Sequence, residues 1–364
     1  MTRSYRKFLG AFLAVSAWAG STAVPLGSAH ASEHGDFESA FDSAFSAKPR
    51  AFQPIQPRPA VPVQSGRAPL VYQFQAPLQR SYSSPLEARI AGIAGSESGR
   101  IGVAAVDLSS GQAIQVLGDQ PFPMASTSKV AIVATFLEGV DQGRFRLDQQ
   151  FPLMVAVPSR KFEGTVAPVR PGQYLTAQSL IEMTITRSDN QATDALLAAV
   201  GGPAAVNRWL AGAGIRNFHI DRDIATLVRD DGEIDPATSI DPRDSATPLA
   251  MVQLLSGLYR GQWLRPSSRA VLLGAMERCI TGKRRIPAML PGEARVAHKT
   301  GSLNNTSSDV GIIQTPDGRA LAVAIYVTGQ GTRANREARI AEIARAIYDG
   351  YQVASLSDRR TASR

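Results

Sequence analysis

From Ser84 onward the chain carries a regular alternation of apolar and polar positions. Residues 86–93 predict a short amphipathic helix, and residues 101–108, β-branched and alternating, predict a strand. Ser109-Ser-Gly-Gln112 predicts a hairpin turn into a second strand at 113–117. Residues 130–137 are apolar almost all round, as expected of a helix through the middle of a domain. Residues 138–240 read as mostly helical, with 175–186 and 203–213 the clearest stretches. Strand patterns return at 295–303, 310–315 and 321–328, the last two joined by the turn Pro316-Asp-Gly318. A closing helix at 335–353 sets Ile340, Ile343, Ala344 and Ile347 on one face. Strands at both ends of the region and helices between them predict an α/β fold of the α+β type. It would be a five-stranded antiparallel sheet flanked by helices, with an inserted all-helical lobe.

The first quarter has another character. Arg3, Arg6 and Lys7, an apolar stretch at 8–19 and Ala29-His30-Ala31 predict a signal peptide over 1–31, cleaved after Ala31, and hence a periplasmic or secreted protein. The apolar stretch is too short, and too broken by Ser and Gly, to span a bilayer. Arg6-Lys7 is not a twin arginine, and no cysteine follows the cleavage site to take a lipid. Residues 32–85 begin acidic and then carry eight prolines, the pattern of a disordered, extended linker. This arm could contact the envelope, or dock aromatics such as Tyr72 and Phe74 onto the domain. The catalytic domain is expected over 86–356, with a disordered tail at 357–364.

Composition narrows the partners. With 44% hydrophobic and 19% charged residues the chain reads as globular. The signal holds three of the 39 basic residues and none of the 31 acidic ones, so the mature chain would carry +5. That excess is dispersed and not interleaved with aromatics, which argues against nucleic acid. Cys279 is the only cysteine, so no intramolecular disulfide can form, and it reads as a buried small hydrophobe. His219 and His298 lack ligand spacing, so no metal or other cofactor is expected, though His298 could line a cleft. A monomer is expected.

Ser126-Thr-Ser-Lys129 stands at the head of the apolar helix. An i, i+3 spacing sets hydroxyl and amine on one helical face, about 5–6 Å apart at Cβ. A desolvated lysine near other cations can lose its proton and activate a serine. A single Ser-x-x-Lys is common by chance, so its companions matter. Ser188-Asp189-Asn190 follows 62 residues later and Lys299-Thr300-Gly301 follows 173 residues later. As a cap and an edge strand these would be ordinary. As chemistry, Ser188 would carry a proton to a leaving nitrogen, Asn190 would hold a substrate amide and Asp189 would pin the loop. Lys299 would help keep Lys129 deprotonated. Lys299 and Thr300 suit a carboxylate, and Gly301 admits a ligand close to the backbone. The N–H groups of Ser126 and Ser302 would form an oxyanion hole.

The three motifs in this order resemble those of class A β-lactamases and penicillin-binding proteins. The resemblance spans about Ser84 to Tyr351, through Thr281-Gly282, Arg285-Ile286, Asp241-Pro-Arg-Asp244, Thr247-Pro248, Ile325-Tyr326 and Thr328-Gly329, and favours class A. It implies a serine hydrolase for a β-lactam, with an Ω-shaped loop pinned by an Arg–Asp pair, here Arg229 and Asp244. By that register Asp231 takes the place of the deacylating glutamate, with Glu233 the alternative under a two-residue slip. Asp235 and Asp194 replace asparagines, and the three aspartates would converge in one site. Many members of that family place an arginine on the strand after Lys-Thr-Gly, and residues 304–309 hold none. Ser308 falls near that position, and Arg333 or Arg336 would substitute. Two other readings are a related acylating peptidase or esterase with slow deacylation, and a non-catalytic envelope-binding protein.

Overall fold

The computed structural model describes residues 72–73, 82, 84–95 and 98–362, with side chains for 82, 84–95 and 98–352. The signal peptide lies outside the described residues, as does the linker apart from residues 72–73, 82, 84 and 85. Helix α1 (Pro85–Ala94) opens with proline in its first turn, and the Ser84 hydroxyl accepts the Glu87 N–H at 3.1 Å. Strands β1 (Ile101–Asp107) and β2 (Ala113–Val116) form the expected hairpin. A 3-10 turn (Ala125–Ser128) then runs straight into α2 (Lys129–Asp141).

The lobe that follows is not wholly helical. It begins with an antiparallel pair, β3 (Gln150–Ala156) and β4 (Val169–Thr176), before α3 (Ala177–Thr186), α4 (Asn190–Val200), α5 (Pro203–Gly212) and α6 (Ile224–Arg229). Pro152, Pro171 and Gly172 hide these strands from a period-2 reading, and the register slips between Pro152 and Met154. Helices α7 (Pro248–Tyr259) and α8 (Pro266–Glu277) lead to β5 (Arg295–Leu303), β6 (Thr306–Gln314) and β7 (Ala320–Thr328). The last helix, α9 (Arg333–Ala362), runs through most of the segment expected to be a disordered tail. No glycine or proline follows Gly350 to end it.

The central sheet has the order β2-β1-β7-β6-β5, every neighbour antiparallel. Its alternation divides two cores. Val103, Val323, Ile325 and Val327 face one way, against Ile340, Ile343 and Ile347 of α9. Ala104, Ala322, Ala324 and Tyr326 face α2, α7 and the lobe. Residues 130–134 of α2 have no exposed surface, which explains why that helix is apolar on every side. Among the described residues of the arm, Tyr72–Gln73 pairs antiparallel with Ser239–Ile240 of the domain.

Candidate active site

The turn bearing Ser126 is shaped by its neighbours. Strand β5 crosses it so closely that a Cβ on Gly301 would stand 2.5 Å from the Met124 carbonyl oxygen and 3.1 Å from Ala125 Cβ. Ala125, just before the serine, is held at φ 50°, a left-handed conformation that an L-residue adopts only when packing imposes it. Ser126 itself is half-buried.

Lys129, one turn on, has no exposed surface. Its Nζ donates to the Ser188 carbonyl and to Asn190 Oδ1, both at 2.7 Å, and reaches Ser188 Oγ at 3.3 Å. Lys299 Nζ, also fully buried, donates to the same Ser188 Oγ at 3.0 Å and to the Thr300 carbonyl at 2.8 Å. Two amines from distant elements thus meet on one hydroxyl. Ser188 is at φ 61°, and the Asp189 carboxylate caps α4 by accepting the Ala192 N–H at 2.8 Å. Asn190 is exposed. Burial, with Lys299 beside it, holds Lys129 well below the ordinary lysine range, against the pull of Asp194 and Asp189. Burial likewise brings Lys299 down to about 8, with Arg285 pushing the same way and Cys279 and Asp309 opposing. The Lys129 backbone N–H donates to the Ser126 carbonyl, and among the described residues no hydrogen bond joins the Ser126 hydroxyl to the Lys129 amine.

On the sheet side, Thr300 Oγ1 lies 2.6 Å from Thr281 Oγ1. The exposed Ser302 accepts at Oγ from Arg285 Nη2 at 2.6 Å. Arg285 is buried, and its other amine group donates to the carbonyls of Gly301 (2.8 Å) and Ser308 (2.7 Å). Arg336 is occupied by the carbonyls of Gly329 and Gly331, and Arg333 pairs with Glu337. Arg285 Nη2 also pairs with Glu337 at 3.2 Å, so all three arginines are engaged, and Arg285 is the one that reaches the exposed Ser302. The turn that carries it back, with the Arg285 N–H on the Gly282 carbonyl at 2.8 Å, left no mark in the sequence separation.

The Ω-loop corrects the register read from the sequence. Arg229 does not pair with Asp244. It grips the adjacent Asp230 at 2.7 Å and donates to the carbonyls of Glu163 and Gly164. Asp244 is held instead by Arg222 at 2.6 Å and accepts the N–H groups of Asp221 and Arg222. The loop is pinned across 22 positions, not the 15 assumed, because it holds seven more residues than that register allowed. Two residues after the pinning arginine stands Ile224, which is buried.

The three aspartates do not converge. Both Asp231 oxygens accept the Asn304 N–H, at 3.0 and 2.9 Å, and no hydrogen bond links Asp231 to Ser126, Lys129 or Ser188 among the described residues. Asp235 holds Asn305 Nδ2 at 2.8 Å, and Glu233 pairs with Arg243 at 2.9 Å. Asp194 alone lies by Lys129. It is 5% exposed and accepts the N–H groups of Ile224 (2.7 Å) and Ala225 (2.9 Å). Burial raises it to about 6, opposed by those two hydrogen bonds and by Lys129. The segment 224–231 therefore starts on the lobe and ends on the β5–β6 turn, crossing the cleft between them. His298 turns away from the cleft to Asp309, its Nδ1 2.9 Å from one carboxylate oxygen and 3.0 Å from the other.

Sheet order, inserted lobe and this lysine–serine cluster together define a serine hydrolase of the class A type. The chain belongs to the beta-lactamase enzyme family, whose model matches residues 85–351. It is 33% identical over 269 residues to Beta-lactamase CTX-M-25 of Escherichia coli, covering 73% of this chain and 89% of that one. It is 29% identical to Extended-spectrum beta-lactamase PER-1 of Pseudomonas aeruginosa, covering 63% and 75%. Among solved structures, the class A beta-lactamase of the last common ancestor of Gram-negative bacteria matches at TM-score 0.63 and 35% identity, over 74% of this chain and all of that one. A beta-lactamase from Chitinophaga pinensis matches at TM-score 0.63 and 30% identity, over 74% and 100%.

Proposed function

We propose that the protein hydrolyses β-lactams through an acyl-enzyme on Ser126. The observation that carries this reading is the meeting of Lys129 and Lys299 on the Ser188 hydroxyl, at 3.3 and 3.0 Å. Ser126 Oγ attacks the lactam carbonyl, and Lys129, its amine biased toward the neutral form by burial and by Lys299, receives its proton once it swings from the 188–190 carbonyls. The N–H groups of Ser126 and Ser302 hold the oxyanion. Ser188, fed by the two amines, passes a proton to the ring nitrogen, so the C–N bond breaks with a neutral amine leaving. Asn190 donates to the side-chain amide of the substrate. Lys299 and Thr300, acting beside Gly301, take the carboxylate, and Arg285, buried behind Ser302, adds positive charge to that edge.

Deacylation falls to a carboxylate and a water. With Ile224 two residues after Arg222 and Asp231 committed to Asn304, we assign this role to Asp194, the buried carboxylate that acts on Lys129. A carboxylate raised to about 6 is poised for general-base work near neutral pH. The second reading, a slowly deacylating penicillin-binding hydrolase, is favoured by that same Ile224. Export by the 1–31 segment and action as a periplasmic or secreted monomer complete the proposal. No helix among the described residues is long and apolar enough to cross a membrane.

Time-resolved intact mass spectrometry of the acyl-enzyme distinguishes the readings. Fast decay in the wild type with a persistent adduct in Asp194→Asn, but not in Asp231→Asn, supports the assigned base. A wild-type adduct that accumulates to one equivalent and stays supports the second reading.

A further inference from the structure

A cavity of about 440 Å³ lies outside the cleft and shares no residue with the catalytic site. Helix α5 presents Ala205, Arg208, Trp209 and Gly212 to it, the i, i+3, i+4 and i+7 positions of one helical face. Thr135 and Glu138 of α2, and Trp263 between α7 and α8, line it from the other elements. The small residues on α5 leave it open: a Cβ on Gly212 would meet no atom within 4 Å. Its aromatic wall is held in place. Trp263, half-buried, lies against the bare backbone of Gly257, where a Cβ would stand 2.1 Å from the indole ring. It meets Trp209 edge to face, with ring centroids 5.9 Å apart and an interplanar angle of 76°.

The polar groups around the cavity are unequally committed. The Thr135 hydroxyl donates to the Ala131 carbonyl at 2.8 Å. Arg144 Nε donates to Gln142 at 3.0 Å, and its Nη2 stands 3.9 Å from the Glu138 carboxylate. The exposed Arg208 guanidinium has no ion pair or side-chain hydrogen bond among the described residues. Two arginines against one glutamate leave the lining with an excess of one positive charge. A concave site of this size, with an aromatic wall and an uncommitted guanidinium, suits a flat apolar ring that carries a carboxylate. A plain hydrocarbon would leave the guanidinium unused, and an inorganic anion would leave the tryptophans unused.

We propose that this cavity is a second ligand site that takes a small planar aromatic carboxylate, its ring against Trp263 and its carboxylate on Arg208. The site is independent of the reaction at Ser126, so failure of either leaves the other standing. The protein supplies its own probe. Of its three tryptophans, Trp18 falls in the segment proposed as a signal, so Trp209 and Trp263 account for the indole fluorescence of the mature protein. The test is a fluorescence titration of the mature protein with 4-nitrobenzoate and with its uncharged counterpart 4-nitrobenzamide, corrected for absorbance against free N-acetyltryptophanamide. The acid should quench saturably, and the amide should bind at least about tenfold more weakly, the worth of one charge-assisted hydrogen bond. Arg208→Gln should weaken the acid about tenfold and leave the amide unchanged. Gly212→Leu, which places a side chain in the open space, should abolish saturable quenching by both while the protein melts as the wild type does. Quenching that never saturates, equal affinity for acid and amide, an acid affinity unmoved by Arg208→Gln, or binding that survives Gly212→Leu would each overturn the inference.

Discussion

At the scale of single residues the site is governed by buried charge. Lys299 stays cationic only below about 8, so KM for a carboxylate-bearing substrate should rise above that pH, checked by a pH series at fixed ionic strength. The pair of His298 and Asp309 gives an independent prediction. Burial disfavours the imidazolium, but the Asp309 carboxylate outweighs it and raises His298 to about 10, above its unfolded value. Its stabilisation is therefore complete below about pH 6.5 and is lost as pH rises through about 10. Lys299 and Lys129, both depressed by burial, act in the opposite sense, so the imidazole's slope is read as the difference between the wild type and Asp309→Asn. Asp309→Asn should remove that slope in thermal melts, because the imidazole left without its carboxylate gives up its proton, and should cost about 1.5–3 kcal/mol for the lost charge-assisted hydrogen bond. None of this pairing was legible in the sequence. His298 and Asp309 meet only because β5 and β6 are in antiparallel register, a fact about two strands at once. The i, i+3 spacing of Ser126 and Lys129 was legible, since one helix fixes it.

At the scale of elements the informative failure is the Ω-loop. A motif read forward from Arg229 matched the expected spacing to Asp244, yet the carboxylate found Arg222 instead. Spacing cannot distinguish a loop of one length from a longer loop pinned by an earlier arginine. Only Asp194 on the Ile224 and Ala225 N–H groups reveals where the loop begins. A double-mutant cycle decides between the pairings. Arg222→Ala with Asp244→Ala should show a coupling of at least about 1 kcal/mol, and Arg229→Ala with Asp244→Ala should be additive within about 0.5 kcal/mol. The strands were easier to read. Residues 295–303 were placed to the residue, whereas Pro152 and Pro171 concealed β3 and β4.

At the scale of the whole molecule, the sheet is a wall between two cores, and the cleft opens where its β5 edge meets the lobe. Gly301 sets how near that edge comes to the Ser126 turn. Gly301→Ala should force the Met124 carbonyl away and cost at least tenfold in kcat/KM, with a smaller loss of stability, read from kinetics and melting together. The layering brings pieces separated by 173 residues to one cleft: the turn before α2 carries Ser126, and β5, packed on that turn at Gly301, carries Lys299. The central claim is that Ser126 forms the covalent intermediate. Peptide mapping after a brief exposure to a penicillin tests it most directly. The account predicts a penicilloyl mass on the peptide containing Ser126, and none anywhere in Ser126→Ala. A label on another residue, or a Ser126→Ala protein that acylates as fast as the wild type, would contradict it.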